Sequence, residues 1–166
     1  MLITAKSLRE LRFPELMQVY EQSNLETASE RKDLPTMFAL QLAEQDFRQY
    51  LQEVFFRTPG AICAVWEENG HYVSALRLEP YKDGLLLAAL ETAPSFRKQG
   101  YAATLIREVQ RYLAEAGNVK IYSHVNKRNT ASLRTHEKCG FRVISDCAAY
   151  INGSVDSRSC TLLYED

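Results

Sequence analysis

The sequence predicts an α/β protein: a mixed, mostly antiparallel sheet with a parallel pair of central strands, flanked by helices. Three observations carry this prediction. Apolar runs joined by short turns indicate an antiparallel meander in mid-chain. A strand–helix–strand unit follows, and its right-handed crossover makes the two strands parallel neighbours. The 166 residues, 46% hydrophobic and 25% charged, suit one domain spanning residues 1–166.

The N-terminal third is predicted to hold one strand and two helical segments. Residues 2–6 suit a first strand, and the pattern turns helical over 7–21, with Pro14 near a helix start or break. The polar residues 21–33 predict a loop. Apolar side chains then recur every three or four residues, which predicts a long amphipathic helix over 35–56.

The middle of the chain supplies the meander. Its three β-type runs are separated by E-N-G-H and P-Y-K-D-G, both typical of hairpin turns, and cover residues 61–66, 72–78 and 85–92. The third run is apolar at consecutive positions, as expected for a central strand buried on both faces.

The last third completes the sheet. Apolar spacing predicts a helix from Ala102 that ends near Gly117, followed by a fifth strand from Val119 to Val125. A short helix is expected over 131–138. Two final strands, 141–151 and 157–164, flank the hairpin signal Asn152-Gly153.

Composition excludes several classes of protein. A formal net charge of −1 argues against a general nucleic-acid binder. The charge is uneven: residues 1–83 carry 9 basic and 13 acidic side chains, and residues 84–166 carry 11 and 8. An anionic ligand is therefore better placed in the second half, and a cationic one in the first.

The cysteines and apolar segments indicate a reduced, cytoplasmic protein. Four cysteines without a C-x-x-C pair, and only three histidines, suggest neither a metal site nor a disulfide framework. The N-terminus lacks the apolar region of a signal peptide. The longest aliphatic stretch, 85–90, is far too short to cross a membrane.

The stretch F-R-K-Q-G-Y-A, residues 96–102, lies between the predicted central strand and the helix that follows it. Unpaired N–H groups and the helix dipole favour an anion at such a corner. Gly100 permits close backbone approach, and Arg97 and Lys98 add positive charge. A pyrophosphate would fit, although a basic turn can also be merely solvated.

A second motif lies beyond the fifth strand, and together the two resemble the GNAT superfamily of N-acetyltransferases. The family's motif R/Q-x-x-G-x-G/A is matched by Arg97, Gly100 and Ala102. Its motif N-x-A-x-x-x-x-Y-x-K-x-G-F is matched by Asn129, Ala131, Lys138, Gly140 and Phe141. The resemblance covers about 85–142 well; the N-terminal half agrees only in its order of elements.

The resemblance implies that acetyl-CoA enters a cleft where the fourth and fifth strands separate, with no metal required. Backbone groups of Leu90 and Thr92 would pair with the pantetheine arm and the acetyl carbonyl, and Asn129 would bind the same arm from the far side. The residues expected at the pyrophosphate are Arg97, Lys98, Gln99, Gly100, Tyr101 and Ala102.

The departures from the family pattern concern catalysis. His136 stands where the family has tyrosine, so an imidazole is expected to protonate the CoA thiolate, or it is a packed helix residue. Leu86 and Ala88 occupy the strand positions that often carry the general base, and neither can take a proton. Glu91, one residue out of phase, is the first substitute.

Further substitutes for the base are Glu79, Tyr81 and Asp83, which the pattern places in a loop; each is also a plausible plain surface residue. The expected acceptor is an amine of a small molecule, amino acid or peptide, with neither nucleic acid nor membrane as partner, and with a monomer or homodimer as the active form. Two alternatives remain open: a CoA-binding module without catalysis, and a nucleotide-binding module of another fold.

Overall fold

The strands form one large twisted sheet and one small hairpin. The structure, a computed structural model, describes residues 1–117 and 120–166. The strands in this part of the chain are β1 (Leu2–Ala5), β2 (Ile62–Glu68), β3 (His71–Tyr81), β4 (Gly84–Thr92), β5 (Lys120–Asn126), β6 (Arg142–Ser145), β7 (Ala148–Ala149), β8 (Val155–Asp156) and β9 (Ser159–Glu165). The seven-stranded sheet has the order β1-β2-β3-β4-β5-β9-β6, and β7 pairs with β8.

Helices cover both faces of the sheet. They are α1 (Phe13–Val19), α2 (Glu21–Ser29), α3 (Thr36–Glu53), α4 (Tyr101–Glu115) and α5 (Thr130–Lys138), with short 3₁₀ turns at Leu8–Glu10, Phe55–Arg57 and Pro94–Phe96. Across residues 1–117 and 120–166, no helix has both the length and the apolar character needed to cross a membrane.

Helix α2 corrects the sequence prediction, which made residues 21–33 a loop. Its buried positions are Asn24 and Ala28, and Ala28 packs with Ala39 and Ala43 of α3. Small and polar buried residues give α2 no apolar stripe that a period of 3.6 could reveal. Tertiary packing against α3 therefore makes this polar segment helical.

Two other boundaries differ from the sequence prediction. The expected strand 141–151 is divided into β6 and β7, and the turn at Asn152-Gly153 joins β7 to β8 as predicted. The expected start of the fifth strand at Val119 lies outside the described residues. From Lys120 onward, β5 is present as predicted.

The sheet is packed on both faces. Leu105, Ile106, Val109 and Leu113 of α4 lie in one cluster with sheet residues that include Leu87. The other face packs against α1, α3 and the 3₁₀ turn after α3, through buried side chains that include Leu16, Leu51 and Phe55. Burying such large apolar side chains stabilises the fold by about 1.5–3 kcal/mol each. The central strands therefore lie between two packed layers.

The predicted parallel pair is confirmed, and it is short. Strands β4 and β5 pair only over Leu85–Leu87 and Ile121–Ser123, although β4 continues to Thr92 and β5 to Asn126. The two strands separate beyond Leu87. This separation opens a gap at the carboxyl ends of both strands.

Candidate active site

The loop after β4 reaches α4 through a sharp left-handed corner. Gly100 precedes the helix with φ of 85°, and Lys98 also has a positive φ of 61°. The N–H of Thr104 donates to the Gly100 carbonyl at 3.0 Å, closing the first turn of α4. The N–H groups of residues 101–103 precede this bond and have no acceptor within the helix.

The corner is open and positively charged. A Cβ added at Gly100 would meet no atom within 4 Å, so the space in front of its backbone is empty of protein. Arg97 Nε donates to the Thr92 carbonyl at 3.2 Å, which ties the corner to the end of β4. Lys98 and Gln99 are exposed beside it, while Tyr101 and Ala102 are half-buried in the first turn of α4. This arrangement fits a pyrophosphate.

The end of β4 turns one backbone edge toward the gap. The Ala93 N–H donates to the Val73 carbonyl of β3 at 2.9 Å. Because successive N–H groups of a strand alternate in direction, that of Thr92 faces away from β3, toward the gap. Leu90 lies two residues earlier, where the strand is irregular and the Ala89 carbonyl accepts a hydrogen bond from the Tyr20 hydroxyl at 2.8 Å. These are the positions at which the sequence predicts contacts with the pantetheine arm.

Asn129 lies on the far side of the gap, after β5. It caps α5, since its Oδ1 accepts a hydrogen bond from the Ser132 N–H at 3.1 Å. Its side chain is exposed. The cap explains the residue type structurally, and a contact between Asn129 and the CoA arm stays a prediction.

A β-bulge changes the position expected for Glu91. Ala88 pairs with Arg77 of β3, and Glu91 pairs with Ala75. Between these pairs, two residues of β4 lie opposite a single residue of β3. Ala89 takes up the extra residue with a φ of 51°. Glu91 therefore lies on the same face of the sheet as Ala88. The sequence prediction, which assumed a strict period of two, placed Glu91 on the opposite face and was wrong on this point.

The Glu91 carboxyl group is poised to exchange a proton. The Ser23 hydroxyl donates to its Oε1, whereas Oε2 is buried without a hydrogen-bond partner. Burial raises the pKa of Glu91 to about 7, against an opposing effect of Arg97. The carboxyl therefore changes protonation in the neutral pH range, which suits a general base.

Glu91 borders a pocket of about 320 Å³ between β4 and the helices α2 and α3. The lining residues are Tyr20, Ser23, Asn24, Thr27, Ala43, Asp46, Phe47, Arg77, Ala89 and Glu91. Apart from Glu91, the sequence analysis singled out none of them. Arg77 did carry a signal, because a charged residue within the apolar run S-A-L-R-L is unusual in a buried strand.

The other predicted bases are less suitable. Glu79 and Tyr81 lie within β3 and not in a loop, because that strand extends to Tyr81. Lys120 Nζ and the Tyr122 hydroxyl lie 2.5 and 2.6 Å from the Asp83 carboxylate and lower the pKa of Asp83 to about 2. Among the residues that the structure describes, no His, Cys, Asp and Glu cluster is suited to a metal ion.

His136 lies inside α5, on the side of β5. It is 1% exposed, and its ring packs edge-on against Phe141. Nδ1 lies 2.8 Å from the Ser132 carbonyl, so it carries the proton, and Nε2 lies 2.9 Å from the Ser123 hydroxyl. Burial lowers the pKa of His136. In this neutral ring Nε2 accepts a hydrogen bond from the Ser123 hydroxyl. The acid role therefore requires that His136 first takes up a second proton at Nε2, which would then leave through the Ser123 hydroxyl.

The acid role of His136 remains a prediction with a clear test. If it holds, we expect His136→Phe to lower kcat about a hundredfold, and the KM for acetyl-CoA to change much less. His136→Tyr, which restores a donor, should keep most of kcat, and Ser123→Ala should resemble the phenylalanine variant. Equal turnover of folded Phe and Tyr variants would instead assign His136 to packing.

Comparison with protein families agrees with the resemblance found in the sequence. The profile of the Acetyltransferase (GNAT) family matches residues 15–141, which is most of the chain. No curated protein matches the sequence significantly.

Several solved structures share the fold. PaiA N-acetyltransferase from Thermoplasma acidophilum, in complex with coenzyme A, superposes with a TM-score of 0.64 at 13% identity, covering 100% of this chain and 99% of its own. Aminoglycoside 6'-acetyltransferase type Ii superposes with a TM-score of 0.63 at 15% identity, and the match covers 99% of this chain and 96% of the other. A GNAT acetyltransferase from Elizabethkingia anophelis with acetyl-CoA bound superposes with a TM-score of 0.56 at 17% identity, and the match covers 68% of this chain and 79% of the other. The TM-scores show a shared fold, and at 13–17% identity the likeness is one of fold alone.

Proposed function

Since the chain belongs to the GNAT acetyltransferase family, we propose that it moves the acetyl group of acetyl-CoA to a primary amine. The acceptor is a small molecule, amino acid or peptide, and it attacks directly while both substrates are bound. One observation carries the proposal: a carboxyl group with one unpartnered oxygen, Glu91 Oε2, lines a pocket beside the strand that separates from β5.

The chain offers a place for each part of acetyl-CoA. The corner from Arg97 to Ala102, with its open left-handed Gly100, would hold the pyrophosphate. The backbone of Leu90 and Thr92 at the end of β4 would hold the pantetheine arm, with Asn129 opposite. Acetyl-CoA supplies a thioester whose carbonyl carbon is open to an amine. The choice of acetyl-CoA as acetyl donor is supported by PaiA N-acetyltransferase and the Elizabethkingia protein, which have coenzyme A and acetyl-CoA bound on the same fold.

Glu91 and the β4 backbone supply the chemistry from the protein side. Oε2 of Glu91 accepts the proton of the amine directly or through one water, because it has no other partner. Negative charge that develops on the carbonyl oxygen is stabilised by a fixed N–H at the gap-facing edge of β4. Positioning of the two substrates provides much of the remaining acceleration.

The family's acceptors are diverse, so the fold alone does not choose one. The similar structures include an aminoglycoside acetyltransferase and a spermidine N-acetyltransferase chimera. We place the reaction in the cytoplasm, catalysed by a monomer or homodimer, without a nucleic acid or membrane partner.

A turnover assay tests the proposal. The protein is incubated with acetyl-CoA and panels of amines, amino acids, polyamines and peptides, and free thiol is measured. We expect thiol release that depends on both the acceptor and Glu91. Binding of acetyl-CoA without release for any acceptor would favour a non-catalytic CoA-binding module, and competition by ATP but not by CoA would favour a nucleotide-binding module.

A further inference from the structure

Arg77 places a guanidinium in the wall of the pocket that Glu91 borders. It lies on β3, opposite Ala88, and three aromatic rings surround it: its Cζ is 5.7 Å from the Phe47 centroid, 5.0 Å from Tyr50 and 5.6 Å from Phe55. Its Nε and Nη1 are buried and have no hydrogen-bond partner in the described part of the chain. The rings favour the charge, but they leave these two donors unsatisfied.

Neither acidic residue of the pocket, Asp46 or Glu91, is hydrogen-bonded to Nε or Nη1 of Arg77. Asp46 is paired with Arg31 at the surface. Glu91 accepts a hydrogen bond from Ser23 and none from Arg77, although the charge of Arg77 acts to lower its pKa. Because burial raises that pKa to about 7, Glu91 is only partly ionised at neutral pH. A half-buried guanidinium with unused donors is expected to bind an anion, and its planar fork fits a carboxylate with two parallel hydrogen bonds.

We propose that the acceptor is an amine that also carries a carboxylate, such as an amino acid or a short peptide, with the carboxylate bound by Arg77. The inference rests on the proposed function and narrows its substrate class. The bulge puts Glu91 and Arg77 on the same face, as diagonal neighbours across β4 and β3. Diagonal neighbours are about 7–8 Å apart at Cα, which lets one small zwitterion reach both side chains.

The same geometry argues against a polyamine. A purely cationic acceptor would gain from Asp46 and Glu91, but it would have to approach Arg77 without an anion to neutralise it. Like charges that meet in a partly desolvated pocket repel each other strongly. The charge of Arg77 therefore opposes the preference for a cationic amine that the acidic balance of residues 1–83 alone would favour.

The test compares matched acceptors and matched variants. Rates of acetyl transfer are measured for the common L-amino acids, their carboxamides and spermidine, with wild type, Arg77→Met and Arg77→Lys. Arg48→Met is the control, because Arg48 is exposed on α3, with its guanidinium 4.8 Å from the Phe13 ring, and does not line the pocket. All variants are checked for folding by thermal unfolding.

For wild type we expect kcat/KM to favour at least one amino acid over its carboxamide by about a hundredfold or more, since the amide leaves the guanidinium unpaired. Arg77→Met should abolish this preference, Arg77→Lys should retain part of it, and Arg48→Met should retain all of it. A wild type that prefers spermidine or the amides, or an acid-to-amide ratio unchanged in Arg77→Met, would overturn the inference.

A binding measurement separates this inference from the proposed function. In the presence of CoA, which cannot donate an acetyl group, the same amino acids should raise Tm in wild type and not in Arg77→Met. If this shift occurs without turnover from acetyl-CoA, the proposed function fails and the carboxylate site stands. If turnover occurs but no amino acid or peptide is favoured, the proposed function stands and the carboxylate site fails.

Discussion

Glu91→Gln is expected to lower the rate of acetyl transfer about a hundredfold near neutral pH, in line with the loss of a general base. Burial raises the pKa of Glu91 to about 7, so the base is ionised only as the pH rises through that value. The kcat/KM of wild type should accordingly rise with an apparent pKa near 7. In Glu91→Gln this limb should disappear, and the deficit should shrink at high pH, where free amine is abundant.

Glu30→Gln is the matched control, because Glu30 is an exposed carboxylate that follows α2 and does not line the pocket. Its pH profile should follow wild type. A loss in Glu91→Gln that is equal at every pH would point to a structural role for Glu91 through its contact with Ser23.

Gly100→Glu is expected to abolish the thermal stabilisation of the protein by acetyl-CoA. At a ligand concentration 100 times Kd, stabilisation of wild type amounts to about 2.7 kcal/mol. A glutamate at this corner brings an anion and bulk into the space where the pyrophosphate is proposed to lie, and Gly100 also has a φ of 85° that disfavours other residues. Thermal unfolding with and without millimolar acetyl-CoA measures the shift.

Two controls separate the site from backbone strain. Gly70→Glu introduces the same residue at another open position, with a φ of 82°, and should keep the full shift. Gly100→Ala imposes the strain without the charge and should keep part of it. If Gly100→Glu is folded and still stabilised as much as wild type, the pyrophosphate does not lie at this corner.

The parts of the fold that follow from local sequence could be predicted. Turn chemistry identified the meander, and the crossover helix identified β4 and β5 as parallel neighbours. Helix α2 could not be predicted, because it is buried through Asn24 and Ala28 and has no apolar stripe. Its helical state depends on contacts with α3, which a window of sequence does not contain.

The candidate site also combines features that local sequence predicts with features that it does not. Gly100 and its basic neighbours carry a signal in the sequence, because the corner needs a left-handed residue next to a helix start. The bulge at Ala89 carries none, since alanine rarely has a positive φ and nothing nearby marks it. Without that bulge Glu91 would point to the other face of the sheet. The sequence could therefore identify Glu91 as a candidate base, but it could not predict the face on which its side chain lies.

A crystal structure of the protein with CoA would test the central claim most directly. We expect the pyrophosphate against the backbone of Gln99 to Ala102, the pantetheine arm between the end of β4 at Leu90 and Asn129, and the thiol near the pocket that Glu91 borders. CoA bound elsewhere, or with its thiol directed away from Glu91, would contradict the account.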